Sequence, residues 1–160
     1  MFKVSSQEEF GLRFLVHLAK SEGKEVSLAD IATKEGISLP YVRKIFGILR
    51  DGGLVKASKG VTGGYSLTHQ PEELTLKTIF QALKPEPHEF SCNDFTGQLS
   101  VCANFGDCGL RPLLSLLQNK INNFLDGISL SQLIKEEKSV KEDLTNRFQE
   151  TTHITAGSSK

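Results

Sequence analysis

The stretch SLADIATKEGISLPYVRKIFGILRDGG, residues 27–53, limits the possible folds more than any other part of the chain. Ser27 offers a hydroxyl cap to a helix whose apolar side chains Leu28, Ile31 and Ala32 share one face before Gly36 stops it. Ser38 opens a second helix after the turn Gly36-Ile37, with Val42, Ile45, Phe46 and Leu49 as its apolar stripe and Gly52-Gly53 as its end. Two short amphipathic helices joined by so tight a glycine-containing turn make a helix-turn-helix. Other helical bundles have such corners, so the flanking sequence has to decide.

Directly after the second helix, LVKASKGVTGGYSLTH reads as strand Leu54–Ser58, glycine-rich turn Gly60–Gly64 and strand Tyr65–Thr68. A hairpin at that place turns the motif into a winged helix, with Lys56 and Lys59 on the wing. Gly63-Gly64 serve the turn rather than a phosphate, because no helix N-terminus follows them. Upstream, both SSQE and SQEE fit a capping box, so a first helix starts near Ser5 or Ser6 and lines up Phe10, Phe14 and Leu18, with Leu15 and Ala19 beside them. Downstream, LTLKTIFQAL aligns Leu76, Ile79, Phe80 and Leu83 and ends before Pro85 and Pro87.

A long apolar face follows, marked by Leu110, Leu113, Leu114, Leu117, Ile121, Phe124, Leu125 and Ile128. It exceeds what a small domain needs for its own core and is read as a dimerisation helix. Gly127 interrupts it, and SLSQLI adds a short coda. From Glu136 onward the chain is polar and ends in small residues, so a largely disordered tail is expected. The fold class is therefore mainly α with a small β-hairpin wing. Its parts are a winged helix-turn-helix domain (1–84, the first helix also contributing to a dimer), a cysteine loop (85–109), a dimerisation helix with a short following helix (110–135) and the tail (136–160).

The zero net charge hides an asymmetry: residues 1–70 carry 10 Lys and Arg against 7 Asp and Glu, and residues 71–160 carry 9 against 12. Within 38–60, Arg43, Lys44, Arg50, Lys56 and Lys59 face Asp51 alone, which suits an anionic partner. Opposite its apolar stripe the second helix of the motif would present Pro40, Tyr41, Arg43, Lys44, Gly47 and Arg50. Arg43, near the N-terminus, is the candidate base reader, since a guanidinium pairs bidentately with guanine. Lys44 and Lys56 are candidate phosphate contacts, and Tyr41 either stacks on DNA or packs. A winged helix used only for protein contact would show an apolar or acidic face here instead. No apolar run approaches the roughly 20 residues that span a bilayer, and acids fill the place of a signal peptide's apolar centre. A cytoplasmic protein without membrane contact is expected.

All three cysteines, Cys92, Cys102 and Cys108, fall in SCNDFTGQLSVCANFGDCGLRP. In a reducing compartment a disulfide is disfavoured and would leave one thiol over. Structural zinc could add His88, though the spacings lack the paired short knuckles usual for that metal. Thiol-only sensing and an iron–sulfur cluster complete the alternatives. Catalysis by a cysteine nucleophile wants a positioned base, and none of the 4 histidines makes a recognisable pairing with the thiols. No enzyme is expected.

The pieces ISLPYV, LRDGGLVKASKG and GGYSL, followed by the cysteine loop and the Leu-rich helix, resemble the bacterial winged-helix regulators typified by IscR and NsrR. The likeness runs from about residue 1 to 138. It implies a homodimeric repressor that binds a double-stranded DNA operator through residues including Ser38, Pro40, Tyr41, Arg43, Lys44, Arg50, Lys56, Lys59 and Gly60. Lys59 stands where related proteins carry Arg and is placed to enter a minor groove. The likeness also implies an iron–sulfur cluster on Cys92, Cys102 and Cys108, 4Fe–4S in the first place and 2Fe–2S as the alternative, open to nitric oxide or oxygen. The chain departs from the family in two ways. The interval from Cys92 to Cys102 is longer than in the best-known members, and Arg111 replaces the histidine with which IscR-like members complete the ligand set. NsrR-like members instead use an acidic residue just before the aromatic of the first helix. Here that residue is Glu9, before Phe10, which would act from the partner subunit. The competing reading of Glu9 is the Ser6-x-x-Glu9 capping box, and His88, Asp94 and Asp107 compete as the fourth ligand.

Overall fold

The computed structural model describes residues 4–58, 63–84 and 108–153. The first helix, α1, spans Ser6–Lys20 and is capped by Ser5, whose hydroxyl accepts from the Glu8 amide while the Glu8 carboxylate accepts from the Ser5 amide. Of the two overlapping Ser-x-x-Glu candidates the first closes the box, so Glu9 has no capping duty. The reason is burial: Glu8 is 4% exposed and turns inward, whereas Glu9 faces solvent.

α2 (Leu28–Glu35) is capped by Ser27 and ends at Gly36, whose φ of 66° is the left-handed conformation that glycine adopts without a steric penalty. α3 (Leu39–Asp51) follows after Ile37 and Ser38. Its Val42, Ile45, Phe46 and Leu49 are fully buried, the stripe expected from their spacing. The wing is the antiparallel pair β1 (Val55–Ala57) and β2 (Tyr65–Leu67), in register Val55 to Leu67, Lys56 to Ser66 and Ala57 to Tyr65. Val26 adds a bridge to Tyr65 on the other side. Gly64 lies against it so closely that a Cβ would sit 2.9 Å from Glu25 Cβ, so this glycine serves a close approach as well as a turn.

α4 (Leu76–Leu83), α5 (Leu110–Asp126), α6 (Leu130–Leu133) and α7 (Glu137–His153) complete the element order. An aromatic stack ties α1, α3 and the wing together. Phe14 lies parallel to Phe46 with centroids 5.5 Å apart, and Phe46 meets Tyr65 at 4.7 Å.

Two expectations are corrected here. Ile128 does not belong to the exposed face of the long helix. Gly127 ends α5, and Ile128 folds back into this chain's own core at 2% exposure, its carbonyl accepting from the Leu76 amide at 2.8 Å. The segment from Glu137 to His153 is helix, where a largely disordered tail was expected. It holds no Gly or Pro, Leu144 packs on the core, and Lys135 pairs with Asp143 at 2.7 Å.

Candidate nucleic-acid interface and cysteine loop

The buried stripe of α3 sets which side chains can meet DNA. With Val42, Ile45, Phe46 and Leu49 sealed against the core, Ser38, Pro40, Arg43, Lys44 and Arg50 are left exposed. Ser38 makes no side-chain capping bond. Arg43 and Lys44 make no ion pair among the described residues, whereas Arg50 gives both Nε and Nη2 to Asp51 at 3.1 and 2.9 Å. That pairing raises the Arg50 pKa, but both side chains are largely in water, so it is given up at little cost. Tyr41 is half-buried, with its ring edge-on to Phe10 at 5.8 Å, so it packs on α1. Lys56 is exposed on β1. Lys59 and Gly60 lie outside the described residues.

Glu9 stands in the first turn of α1 with its carboxylate 55% exposed, 3.0 Å from Arg13 Nη2. The other arm of that guanidinium, Nη1, donates to Glu35 Oε2 at 3.1 Å, and His17 Nε2 lies 2.6 Å from Glu35 Oε1. Burial pushes the Glu35 carboxyl up, but the hydrogen bonds and charges of His17 and Arg13 outweigh it and hold the group below the ordinary carboxylate range. Part of this chain was legible, because Glu9, Arg13 and His17 repeat at four-residue spacing. Glu35, which joins them from α2, carries no such signal.

A second clamp fixes the point where the chain leaves α4 for the cysteine loop. Gln7 Nε2 donates to the Leu83 carbonyl at 2.7 Å, and Lys84 Nζ lies 3.2 Å from the buried Glu8 Oε1. Gly11 is in contact with Leu83, since a Cβ there would lie 2.5 Å from Leu83 Cδ2. Cys108 sits half-buried just before α5, its carbonyl accepting from the Arg111 amide. Cys92, Cys102 and the alternative ligands His88, Asp94 and Asp107 lie outside the described residues. Among the described residues no three His, Cys, Asp or Glu side chains converge as a metal site.

α5 leaves much of its apolar face uncovered, with Leu110 at 63%, Leu113 at 58%, Leu116 at 56%, Leu117 at 44% and Phe124 at 38% exposure. Leu114, Ile121 and Leu125 are half-buried. Leu116 is a member of this patch that the sequence pattern missed. The attachment of α5 to α4 includes polar contacts at its C-terminal end, where Asp126 meets Thr75 and Lys77.

The match to known proteins agrees with this geometry. Residues 4–136 fit the model of the Rrf2 family, described as iron-dependent transcriptional regulator. The chain belongs to the Rrf2 family. HTH-type transcriptional regulator IscR of Aliivibrio salmonicida is 31% identical to this Rrf2 protein over 137 residues, 85% of this chain and 79% of that one. CymR (YrzC), titled the global cysteine regulator of B. subtilis, is similar in structure with a TM-score of 0.65 at 28% identity, covering 84% of this chain and 97% of the other. For T. potens IscR the TM-score is 0.61 at 28% identity, over 83% and 86%. The fold is the Rrf2 winged helix, and the chain is a DNA-binding transcriptional regulator rather than an enzyme. No helix among the described residues is long and apolar enough to cross a membrane.

Proposed function

We propose that this Rrf2 protein is a homodimeric repressor whose grip on its operator is controlled by an iron–sulfur cluster, 4Fe–4S rather than 2Fe–2S, held by Cys92, Cys102 and Cys108 and by Glu9 of the partner subunit. The observation that carries this reading is the state of Glu9. The capping box closes on Glu8, so Glu9 is exposed and held by an ion pair to Arg13 that is itself half in water. Such a pair is given up at little cost. Cys108 stands half-buried at the head of α5. The Cys108 thiol and the exposed Glu9 carboxylate are of the donor types that such a site takes.

A bound cluster supplies an iron whose carboxylate ligand exchanges more readily than a thiolate, open to nitric oxide or oxygen. The chain's own residues do the rest. The exposed face of α5, led by Leu113, Leu116 and Leu117, pairs with its copy about a two-fold axis. That pairing sets two α3 helices about one DNA turn, roughly 34 Å, apart. Arg43 reads a base, Lys44 and Lys56 hold phosphates, and Lys59 and Gly60 add to the DNA contacts. Anaerobic purification with iron and sulfide analysis tests the ligand set. Cys108→Ser is expected to lose the visible absorbance and Glu9→Ala to keep it while becoming more sensitive to nitric oxide. A colourless wild type containing equimolar zinc refutes the reading.

The likeness to CymR, of which the Staphylococcus aureus protein has a solved structure titled oxidized form, supports a second reading, in which oxidation of the same three thiols controls DNA binding without a cluster. Its signature is iron-free protein whose operator affinity changes reversibly with thiol reductant.

A further inference from the structure

Two glycines stand inside helices among the described residues, Gly11 in α1 and Gly47 in α3. Each weakens its helix relative to alanine, because glycine loses more backbone freedom on folding and leaves the helix backbone open to water. At Gly11 the packing explains the choice, since a Cβ there would overlap Leu83. At Gly47 the chain itself gives no reason. Its φ is not positive, so any residue adopts this backbone, and no described atom lies within 4 Å of the place its Cβ would take.

The place of Gly47 on α3 supplies the reason. Val42, Ile45, Phe46 and Leu49 point into the core, and Pro40, Lys44 and Gly47 follow one another along the opposite side, about one turn apart. Arg43 stands one turn before Gly47 and Arg50 one turn after it, both exposed. Neither guanidinium folds over the gap, and Arg50 is turned to Asp51. A bare stretch of helix backbone is thus framed by cations. An α-helix with its side chains is about 10–12 Å across and the major groove about 12 Å wide, so a helix seated there has almost no clearance. A residue without a side chain in the middle of the inserted face lets the helix sit deeper.

We infer that Gly47 is a specificity-determining notch: the DNA closes against the α3 backbone there, and the depth so gained brings Arg43 to the base edges. This deepens the reading of α3 as the DNA-facing helix and rests on it. Gly47 offers no charge and no side-chain hydrogen bond; its contribution is the space it leaves.

The test compares Gly47→Ala and Gly47→Met in the full-length, anaerobically purified protein. Both replacements are good helix formers at an open position, so each is expected to raise Tm by about 2–4 °C. Both are expected to weaken binding to a duplex selected by the wild type from a random-sequence pool. Alanine costs on the order of tenfold, comparable to one mismatched base pair, and methionine costs more. Affinity for a duplex of unrelated sequence is expected to change little, because non-specific binding rests on phosphate charge, which neither change alters. A protein that is more stable yet reads DNA less well is the signature. Unchanged affinity of both variants for the selected duplex overturns the inference. So does an equal loss from alanine and methionine, which marks a need for helix flexibility rather than space, and so does a lowered Tm, which marks a packing contact. The reading of α3 fails separately, if Arg43→Ala and Lys44→Ala leave binding to the selected duplex unchanged.

Discussion

Replacing Glu8 tests whether the first turn of α1 anchors the start of the cysteine loop. Its carboxylate is 4% exposed and accepts from the Ser5 amide and the Ser5 hydroxyl, both at 2.8 Å, while the other oxygen faces Lys84 Nζ at 3.2 Å. Loss of the cap costs about 1 kcal/mol. Breaking a fully buried ion pair costs about 3–5 kcal/mol, but Lys84 is 24% exposed and recovers part of its hydration, so about 1–2 kcal/mol is assigned here. Glu8→Ala should therefore lose about 2–3 kcal/mol in urea unfolding at unchanged m-value, or about 5–10 °C in Tm. Glu8→Gln, which keeps one acceptor for Ser5, should lose about half of that.

The sign of the pH dependence is also determined. Burial pushes the Glu8 carboxyl up, but Ser5 and Lys84 pull it down by more, so it lies below the usual carboxylate value. Stability from such a group is complete above the unfolded pKa and fades as pH falls through the folded one. The gap between wild type and Glu8→Gln should then be constant from about pH 8 to about pH 5 and close below about pH 4. A penalty under about 0.5 kcal/mol, or one that persists unchanged in acid, would refute this account of the anchor.

Arg43→Ala should cost about 1–3 kcal/mol at one base position per half-site, whereas Lys44→Ala and Lys56→Ala should weaken all sequences alike and each reduce the salt slope by about one. Uniform weakening by Arg43→Ala would make it a phosphate contact. Leu113→Glu with Leu117→Glu should convert a dimer to a folded monomer in sedimentation, while Ile128→Ala should leave the mass unchanged and cost about 2–4 kcal/mol of stability. Gly52→Ala should cost about 1–3 kcal/mol in denaturant titration, because its Cβ would lie 2.6 Å from Ala82 Cβ on α4; a neutral result would mean that α3 and α4 can separate freely.

The helix-turn-helix was legible because local chemistry and global packing agree there. Ser27 caps, Gly36 turns left-handed, and the apolar spacing of α3 is the buried stripe. Where two local patterns overlapped, the sequence could not choose. Ser5-x-x-Glu8 and Ser6-x-x-Glu9 are equally good boxes, and the choice follows the burial of Glu8 beside Lys84, 76 residues away in the chain and brought close only by folding. The apolar repeat of α5 carried past Gly127 to Ile128 because periodicity does not register a helix stop that it happens to match. The polar segment after Glu136 was read from composition, although the lack of Gly and Pro pointed to helix. The Arg13–Glu35 contact and the packing of Gly11 on Leu83 are long-range and leave no local trace.

Under the proposed function, DNA affinity follows the state of the cysteine loop. Titrating the selected operator duplex with anaerobically purified protein, before and after nitric oxide treatment of the same sample, tests it most directly. The expected result is iron- and sulfide-containing protein that binds tightly at first and loses on the order of tenfold or more in affinity as its visible absorbance changes. Equal affinity in the two states, with the absorbance changed, would contradict it.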